Sequence, residues 1–390
     1  MRYNENFKKL PEDYIFSRLN EKVAVARKAG REVIDLGIGD VKLPLCPLAV
    51  SEMKKACEEM KRAETFKGYM QGAGLLPLRE KISESYEKTG VKISSDEVFI
   101  TDGLKSEIGN ILELFGRGAK VLIPEPCYPA YAEANIIFGN EVEFLKTREE
   151  DGFIPYPPFD KSYDIIFLTS PNNPTGAVMS ERDLALFIAY AKKRGAVIIF
   201  DGAYSVFTAE GYPKSAYEVS GAKECVIETR SFSKSYGFTG VRCGYTVVPK
   251  TLGNYNALYK RRIGARFNGV SYITQKGAES FFTKEGYEFA KKRAKYYKDG
   301  AEALKLALKN SGVPSLSGNS SPYVFSKCPK GYSSVSFCER LFDTLGIVAT
   351  PGSAFGESGE GYFRLSAFSK REEILSASDT IGEKFCLYFN

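Results

Sequence analysis

Six short runs of almost unbroken Val, Ile and Phe, spaced through the middle of the chain, constrain its fold more than any other feature. They are Glu97–Thr101, Lys120–Ile123, Asp164–Thr169, Ala196–Phe200, Cys225–Thr229 and Val241–Val248. Runs that do not alternate apolar with polar residues suit strands covered on both faces. Amphipathic stretches lie between them. Ser180-Glu-Arg-Asp183 reads as a capping box; Leu184, Ile188 and Ala191 share one face of the helix it opens, and Gly195 closes it. Strands and helices in alternation predict an α/β fold with a largely parallel, doubly wound sheet.

At 390 residues the chain exceeds one typical domain. Its texture changes after about Phe281: Lys284–Asn310 reads as one long charged helix, and 313–390 mixes short strands with helices, Tyr362–Ala367 among the strands. The first forty residues read as irregular and carry Asp35-Leu-Gly-Ile-Gly39. The expected division is an N-terminal arm with part of a small domain over 1–40, a large domain over 41–280, and the rest of the small domain over 281–390. The smaller α/β domain is thus built from both termini.

Polar segments follow the strands in a regular way. Thr101-Asp-Gly-Leu-Lys105, Pro126-Cys-Tyr128, Ser170-Pro-Asn-Asn173, Asp201-Gly-Ala-Tyr204 and Ser231–Lys234 each come after a predicted carboxyl end. Ligands bind at that edge of open α/β sheets, so these loops are expected to converge on one pocket.

Composition removes several kinds of chemistry. The chain has no histidine, which excludes any mechanism built on imidazole. Its eight cysteines are scattered without a Cys-x-x-Cys pair, so neither a zinc site nor a disulfide framework is expected. A net charge of +6, with no dense basic run, gives no case for nucleic acid. No apolar run is long enough for a bilayer and the first residues hold no apolar signal core, so a cytoplasmic location is expected.

The segment Ser231-Phe-Ser-Lys234-Ser-Tyr-Gly-Phe-Thr-Gly-Val-Arg242 sets one lysine among hydroxyls, with an arginine downstream. Alone, Lys234 is either a solvated charge or a nucleophilic amine beside a phosphate site, the pairing that pyridoxal phosphate requires. Asp201, ending an apolar strand, needs a cation or donors; a protonated pyridine nitrogen would satisfy it. Tyr204 is either a core aromatic or a donor to the ring's phenolic oxygen. Asn173, in Pro171-Asn-Asn-Pro-Thr-Gly176, either completes a tight turn or holds that oxygen from the other side. Tyr128 either packs or stacks on a planar ring. Arg364, in Gly361-Tyr-Phe-Arg-Leu-Ser366, calls for an anion, either a structural carboxylate or a substrate α-carboxylate held by a bidentate fork.

Two rival motifs fail. Ser231-x-x-Lys234 and Lys88-Thr-Gly90 match serine-hydrolase signatures of penicillin-binding proteins, but in reversed order and without Ser-Asp-Asn. Gly37-x-Gly39 and Gly72-x-Gly74 both lack the third glycine of a dinucleotide fingerprint.

Ser170-Pro-Asn-Asn-Pro-Thr-Gly176, the Asp201/Tyr204 pair, Ser231-Phe-Ser-Lys234 and Arg242 together resemble the fold-type I pyridoxal-phosphate aminotransferases. The motifs stand in that family's order over nearly the whole chain. Asn6-Phe-Lys-Lys-Leu-Pro-Glu-Asp-Tyr14, Leu36-Gly-Ile-Gly39-Asp, Asp102-Gly-Leu-Lys105, Gly237–Arg242, Phe267-Asn-Gly-Val-Ser271 and Thr350–Gly356 are similar to the LL-diaminopimelate aminotransferase family within it.

The resemblance implies pyridoxal 5′-phosphate as cofactor, carried by Lys234, with Asp201 on the ring nitrogen, Tyr204 and Asn173 on the phenolic oxygen and Tyr128 on the ring face. Ser231, Ser233, Arg242 and the Leu104-Lys105 turn would bind the phosphate, the turn through a helix N-terminus. Arg364 would take the α-carboxylate, with Tyr14, Gly39, Lys105 and Asn173 on the substrate side. Tyr69 and Asn268 would reach the site from a neighbouring subunit, which implies a homodimer. The implied reaction passes an amino group from LL-diaminopimelate to 2-oxoglutarate, giving glutamate and tetrahydrodipicolinate for lysine or peptidoglycan-precursor synthesis. An aminotransferase for aspartate or aromatic amino acids shares the core motifs. A non-enzymatic pyridoxal-binding regulator would need a DNA-binding module for which the chain has no room. Leu104 and Gly202 depart from the alanine and serine often found in the family, both at positions read as backbone-facing.

Overall fold

A computed structural model describes residues 2–10 and 15–389, the side chains of 15–20 excepted. Twelve strands form among these: β1 (Ile34–Asp35), β2 (Val98–Thr101), β3 (Lys120–Glu125), β4 (Glu141–Lys146), β5 (Ile165–Thr169), β6 (Val197–Asp201), β7 (Val226–Ser231), β8 (Gly244–Val247), β9 (Tyr323–Lys327), β10 (Ile347–Val348), β11 (Thr350–Pro351) and β12 (Tyr362–Ser366). Seven make one sheet in the order β2-β8-β7-β6-β5-β3-β4. All its pairings are parallel except those of β8, which runs against both β2 and β7. The α/β, largely parallel architecture expected from the apolar runs is therefore present.

Every residue of β2 and β6 is buried, as strands covered on both faces must be. One apolar cluster containing Ile100, Leu168 and Phe200 lies on one side of the sheet, and another with Phe99, Phe167 and Ile199 on the other. Each such side chain contributes about 1.5–3 kcal/mol by leaving water. The strands that end at the site are thus anchored by apolar packing on both faces.

Helix Glu181–Arg194 opens on the Ser180/Asp183 capping box and ends on Gly195 in the left-handed conformation. The long helix spans Lys284–Asn310 and starts from a Thr283 cap. Beyond it, β9, β11 and β12 form an antiparallel sheet in the order β11-β12-β9. β1 pairs in parallel with β10, joining the two ends of the chain.

One expectation falls, and one strand was not foreseen. The first forty residues are not simply irregular, because a helix covers Ile15–Lys28. Among the described side chains, Val23 and Ala26 from it pack with Phe342 and Val348. The strand β4 lies at the sheet edge with mostly exposed side chains and lacks the apolar run that marked the others.

Candidate active site

The carboxyl ends of β2, β3, β5, β6 and β7 open onto a cavity of about 440 Å³. Gly39, Leu104, Lys105, Tyr128, Asn173, Asp201, Tyr204, Ser231, Ser233, Lys234, Arg242 and Arg364 all line it. Residues scattered over most of the sequence therefore meet because parallel strands deliver their loops to one edge. β8 runs the other way, so Arg242, just before its start, reaches the same edge.

Ser231 caps the short helix Phe232–Tyr236 through its side chain, which accepts from Ser233 N at 3.1 Å. That turn aims Lys234 into the cavity, where Nζ donates to the Gly39 carbonyl. Loss of water around the amine lowers its pKa to about 8; Asp40 opposes this, while Arg364 and Arg242 add to it. An amine so placed is deprotonated far more readily than a surface lysine.

Arg242 adopts φ +65, a left-handed conformation costly for a residue with a side chain. Its Nη1 donates to Ser233 Oγ at 3.2 Å. Gly103, at φ +114, lies so close that a Cβ there would sit 2.1 Å from Arg242 Nη2. Gly103 also precedes helix Leu104–Ile111, whose first two residues line the cavity. Two hydroxyls, a guanidinium and a helix N-terminus form a donor set suited to a phosphate dianion.

At the other end Asp201 is buried, with Oδ1 accepting from Ala203 N at 2.8 Å and Oδ2 from the Tyr131 hydroxyl at 2.6 Å. Burial raises its pKa to about 6, against the pull of those two donors and of Arg230. A cation brought to this carboxylate would restore its charge.

Arg364 is 1 % exposed, on β12 of the smaller sheet. It donates to Asn173 Oδ1 at 2.7 Å, to the Gly37 carbonyl at 2.6 Å and to Thr350 Oγ1 at 3.3 Å. These three acceptors are neutral oxygens. Because Asn173 Oδ1 serves Arg364, the amide Nδ2 is the atom with hydrogens for other acceptors.

Some expected residues lie elsewhere. Tyr69 is 90 % exposed and Asn268 is exposed, and neither lines the cavity of the single chain. Tyr14 falls outside the described residues. Leu104 buries its side chain in the apolar cluster that contains Phe99 and Ile108. Gly202 leaves room for Arg230, whose Nε a Cβ would meet at 2.7 Å.

Sequence reasoning missed Tyr131 and Tyr323. Tyr131 follows Tyr128 at helical spacing, a signal that was available. Tyr323 sits on β9, with its hydroxyl 2.8 Å from that of Tyr204 and the Arg364 guanidinium 4.4 Å from its ring centre. Its neighbours come from distant segments, so no local pattern marked it.

Comparison with known proteins fits this geometry. The profile of the family "Aminotransferase class I and II" matches residues 31–381. The chain belongs to the class I and II aminotransferases. It is 41% identical to an LL-diaminopimelate aminotransferase of Agathobacter rectalis, covering 97% of this chain and 98% of that one. It is 39% identical to another of that name from Lachnospira eligens, over 97% of this chain and 98% of the relative. The solved L,L-diaminopimelate aminotransferase of Chlamydomonas reinhardtii superposes with a TM-score of 0.92 at 34% identity, covering 100% of this chain and 99% of that one. Class I and II aminotransferases act on small amino and oxo acids and generally depend on pyridoxal phosphate. Among the described residues no helix is long and apolar enough to cross a membrane, and no acidic or cysteine cluster could hold a metal.

Proposed function

We propose that this aminotransferase transfers an amino group between LL-diaminopimelate and 2-oxoglutarate, with pyridoxal 5′-phosphate bound in the cavity. The observation that carries the reading is the placement of Lys234 between an anion cradle at Gly103, Ser231, Ser233 and Arg242 and a buried carboxylate at Asp201. The cradle is packed so tightly at Gly103 that it has no space for a side chain, which fits a phosphate held by backbone and guanidinium. The substrate assignment draws on the relatives' names and on the buried Arg364.

In this reading Ser231, Ser233, Arg242 and the Leu104–Lys105 backbone hold the phosphate. Asp201 pairs with the ring nitrogen, Tyr204 and Asn173 Nδ2 donate to the phenolic oxygen, and Tyr128 covers the ring face. Bound there, pyridoxal phosphate supplies an aldehyde that takes up amines and a cationic ring that accepts electrons from a breaking Cα bond. Lys234 Nζ anchors the group, then serves as the base that removes the Cα proton; a lowered pKa suits both tasks. Arg364 forks onto the α-carboxylate while Asn173 and Gly37 hold the guanidinium in place, and so fixes which Cα bond faces Lys234.

Tyr14, Gly39 and Lys105 lie on the substrate side in this reading, completed by Tyr69 and Asn268 of the partner subunit in a homodimer. The exposure of Tyr69 supports that placement. The domains divide at about residues 40 and 280, and the enzyme works in the cytoplasm, in keeping with eight free cysteines.

Mixing the cofactor-loaded protein with LL-diaminopimelate tests the substrate. Its visible absorbance should convert to the pyridoxamine form, and aspartate should not produce this. Equal conversion by aspartate or an aromatic amino acid would move the assignment to those substrates, and a protein with no visible band would overturn the cofactor.

A further inference from the structure

Tyr323 is 2 % exposed and holds a position that the proposed roles leave unused. Its hydroxyl lies 2.8 Å from the Tyr204 hydroxyl, with the two rings edge to face at 5.5 Å. The Arg364 guanidinium stacks on its ring at 4.4 Å. Its hydroxyl also presses on Gly39, where an added Cβ would lie 2.2 Å away. One side chain thus touches the residue assigned to the phenolic oxygen, the residue assigned to the α-carboxylate, and the segment whose carbonyl receives Lys234.

Each phenol has a single proton, so the hydrogen bond between them has a direction. If Tyr204 donates to Tyr323, it has nothing left for a cofactor oxygen. If Tyr323 donates, the Tyr204 proton is available, and a donor that is itself donated to becomes a stronger one. The charge of Arg364 on the Tyr323 ring favours the second arrangement, because a nearby cation makes a phenol the better donor. Arg364 acts on Tyr204 as well, opposed there by Asp201 as Asp40 opposes it at Tyr323, but of the two phenols it is the Tyr323 ring that carries the guanidinium among the described contacts.

We infer that Tyr323 is a positioning residue that donates its proton to Tyr204, so that Tyr204 can donate to the cofactor's phenolic oxygen under the influence of Arg364. The inference rests on the pyridoxal-phosphate reading. It also links the carboxylate subsite to the cofactor through Arg364, Tyr323 and Tyr204.

The test is a pH titration of the visible absorbance of the cofactor-loaded protein, with Tyr323→Phe, Tyr204→Phe and the double variant. A donor to the phenolic oxygen stabilises its anionic form, so weaker donation raises the pH at which the band converts. Tyr323→Phe keeps the ring against Arg364 and removes only the proton. It should raise the midpoint, with proton affinity up about three- to ten-fold, the scale of one lost hydrogen bond. Tyr204→Phe should raise it further, and adding Tyr323→Phe to that variant should change nothing. A midpoint that falls or stays fixed in Tyr323→Phe overturns the inference, because Tyr323 would then be an acceptor or a bystander. A shift that persists in the double variant overturns it too. A native protein with no titrating band removes the cofactor reading, and this inference with it.

Discussion

Tyr131 donates its hydroxyl to Asp201 at 2.6 Å, and both groups are buried at the end of β6. Among the described residues this donor, the Ala203 amide and Arg230 offset its burial in part, so its pKa stands near 6 rather than 3.8. The native state therefore binds this proton more tightly than the unfolded chain does. Stability of the cofactor-free protein from this group is greatest below pH 3.8 and declines as pH rises through about 6. The full span is on the order of 3 kcal/mol. Urea unfolding of cofactor-free protein between pH 4 and 7 should show the decline, and Asp201→Asn should remove that part of it. Tyr131→Phe should cost about 1–3 kcal/mol at neutral pH, where the charged carboxylate loses a donor.

Lys234 should react with aldehydes in a pH range set by its pKa of about 8. The free-amine fraction rises with pH through that value, so cofactor uptake trapped by borohydride should reach half its maximum rate there. A surface lysine would require about pH 10. Mass spectrometry should place the adduct on Lys234, and Lys234→Ala should give neither adduct nor turnover.

Gly103→Ala attacks the anion cradle from the backbone. The new Cβ would collide with Arg242 Nη2, and φ +114 would be strained besides. Affinity for pyridoxal phosphate, measured by absorbance titration, should fall roughly 10- to 100-fold. Gly240→Ala, with open space around the position, should bind normally.

Arg364→Lys keeps the charge and loses the fork. A lysine ammonium cannot serve Asn173, Gly37 and a carboxylate together in one plane. The ratio kcat/KM should drop about 100-fold for amino donor and oxo acid alike, with cofactor affinity nearly unchanged.

Much of this site is legible in the sequence because it lies at strand ends. Asp201 closes an apolar run, Ser231 opens a capped turn, and Asn173 sits in a proline-bounded turn; each carries its own local signal. Tyr323 carries none, since its partners Tyr204, Arg364 and Gly39 meet only when the two sheets pack together. Gly202 stands where the family often has serine, and its reason is the Arg230 side chain, paired with the buried Glu228. A serine there would displace that guanidinium, a conflict visible only in three dimensions.

Ser231 and Gly244 face one another across β7 and β8, so Ser231, Ser233, Lys234 and Arg242 all hang from one reversal of the chain clamped at its base. The span from the reactive amine to the anion cradle is thereby gauged by a single covalent segment. Arg364 belongs to the other sheet and is tied to no such gauge. A shift of one sheet against the other would open or close the grip on a passing amino acid while leaving the hold on the resident group untouched. Two successive substrates can then exchange in one pocket without loss of the piece that serves them both.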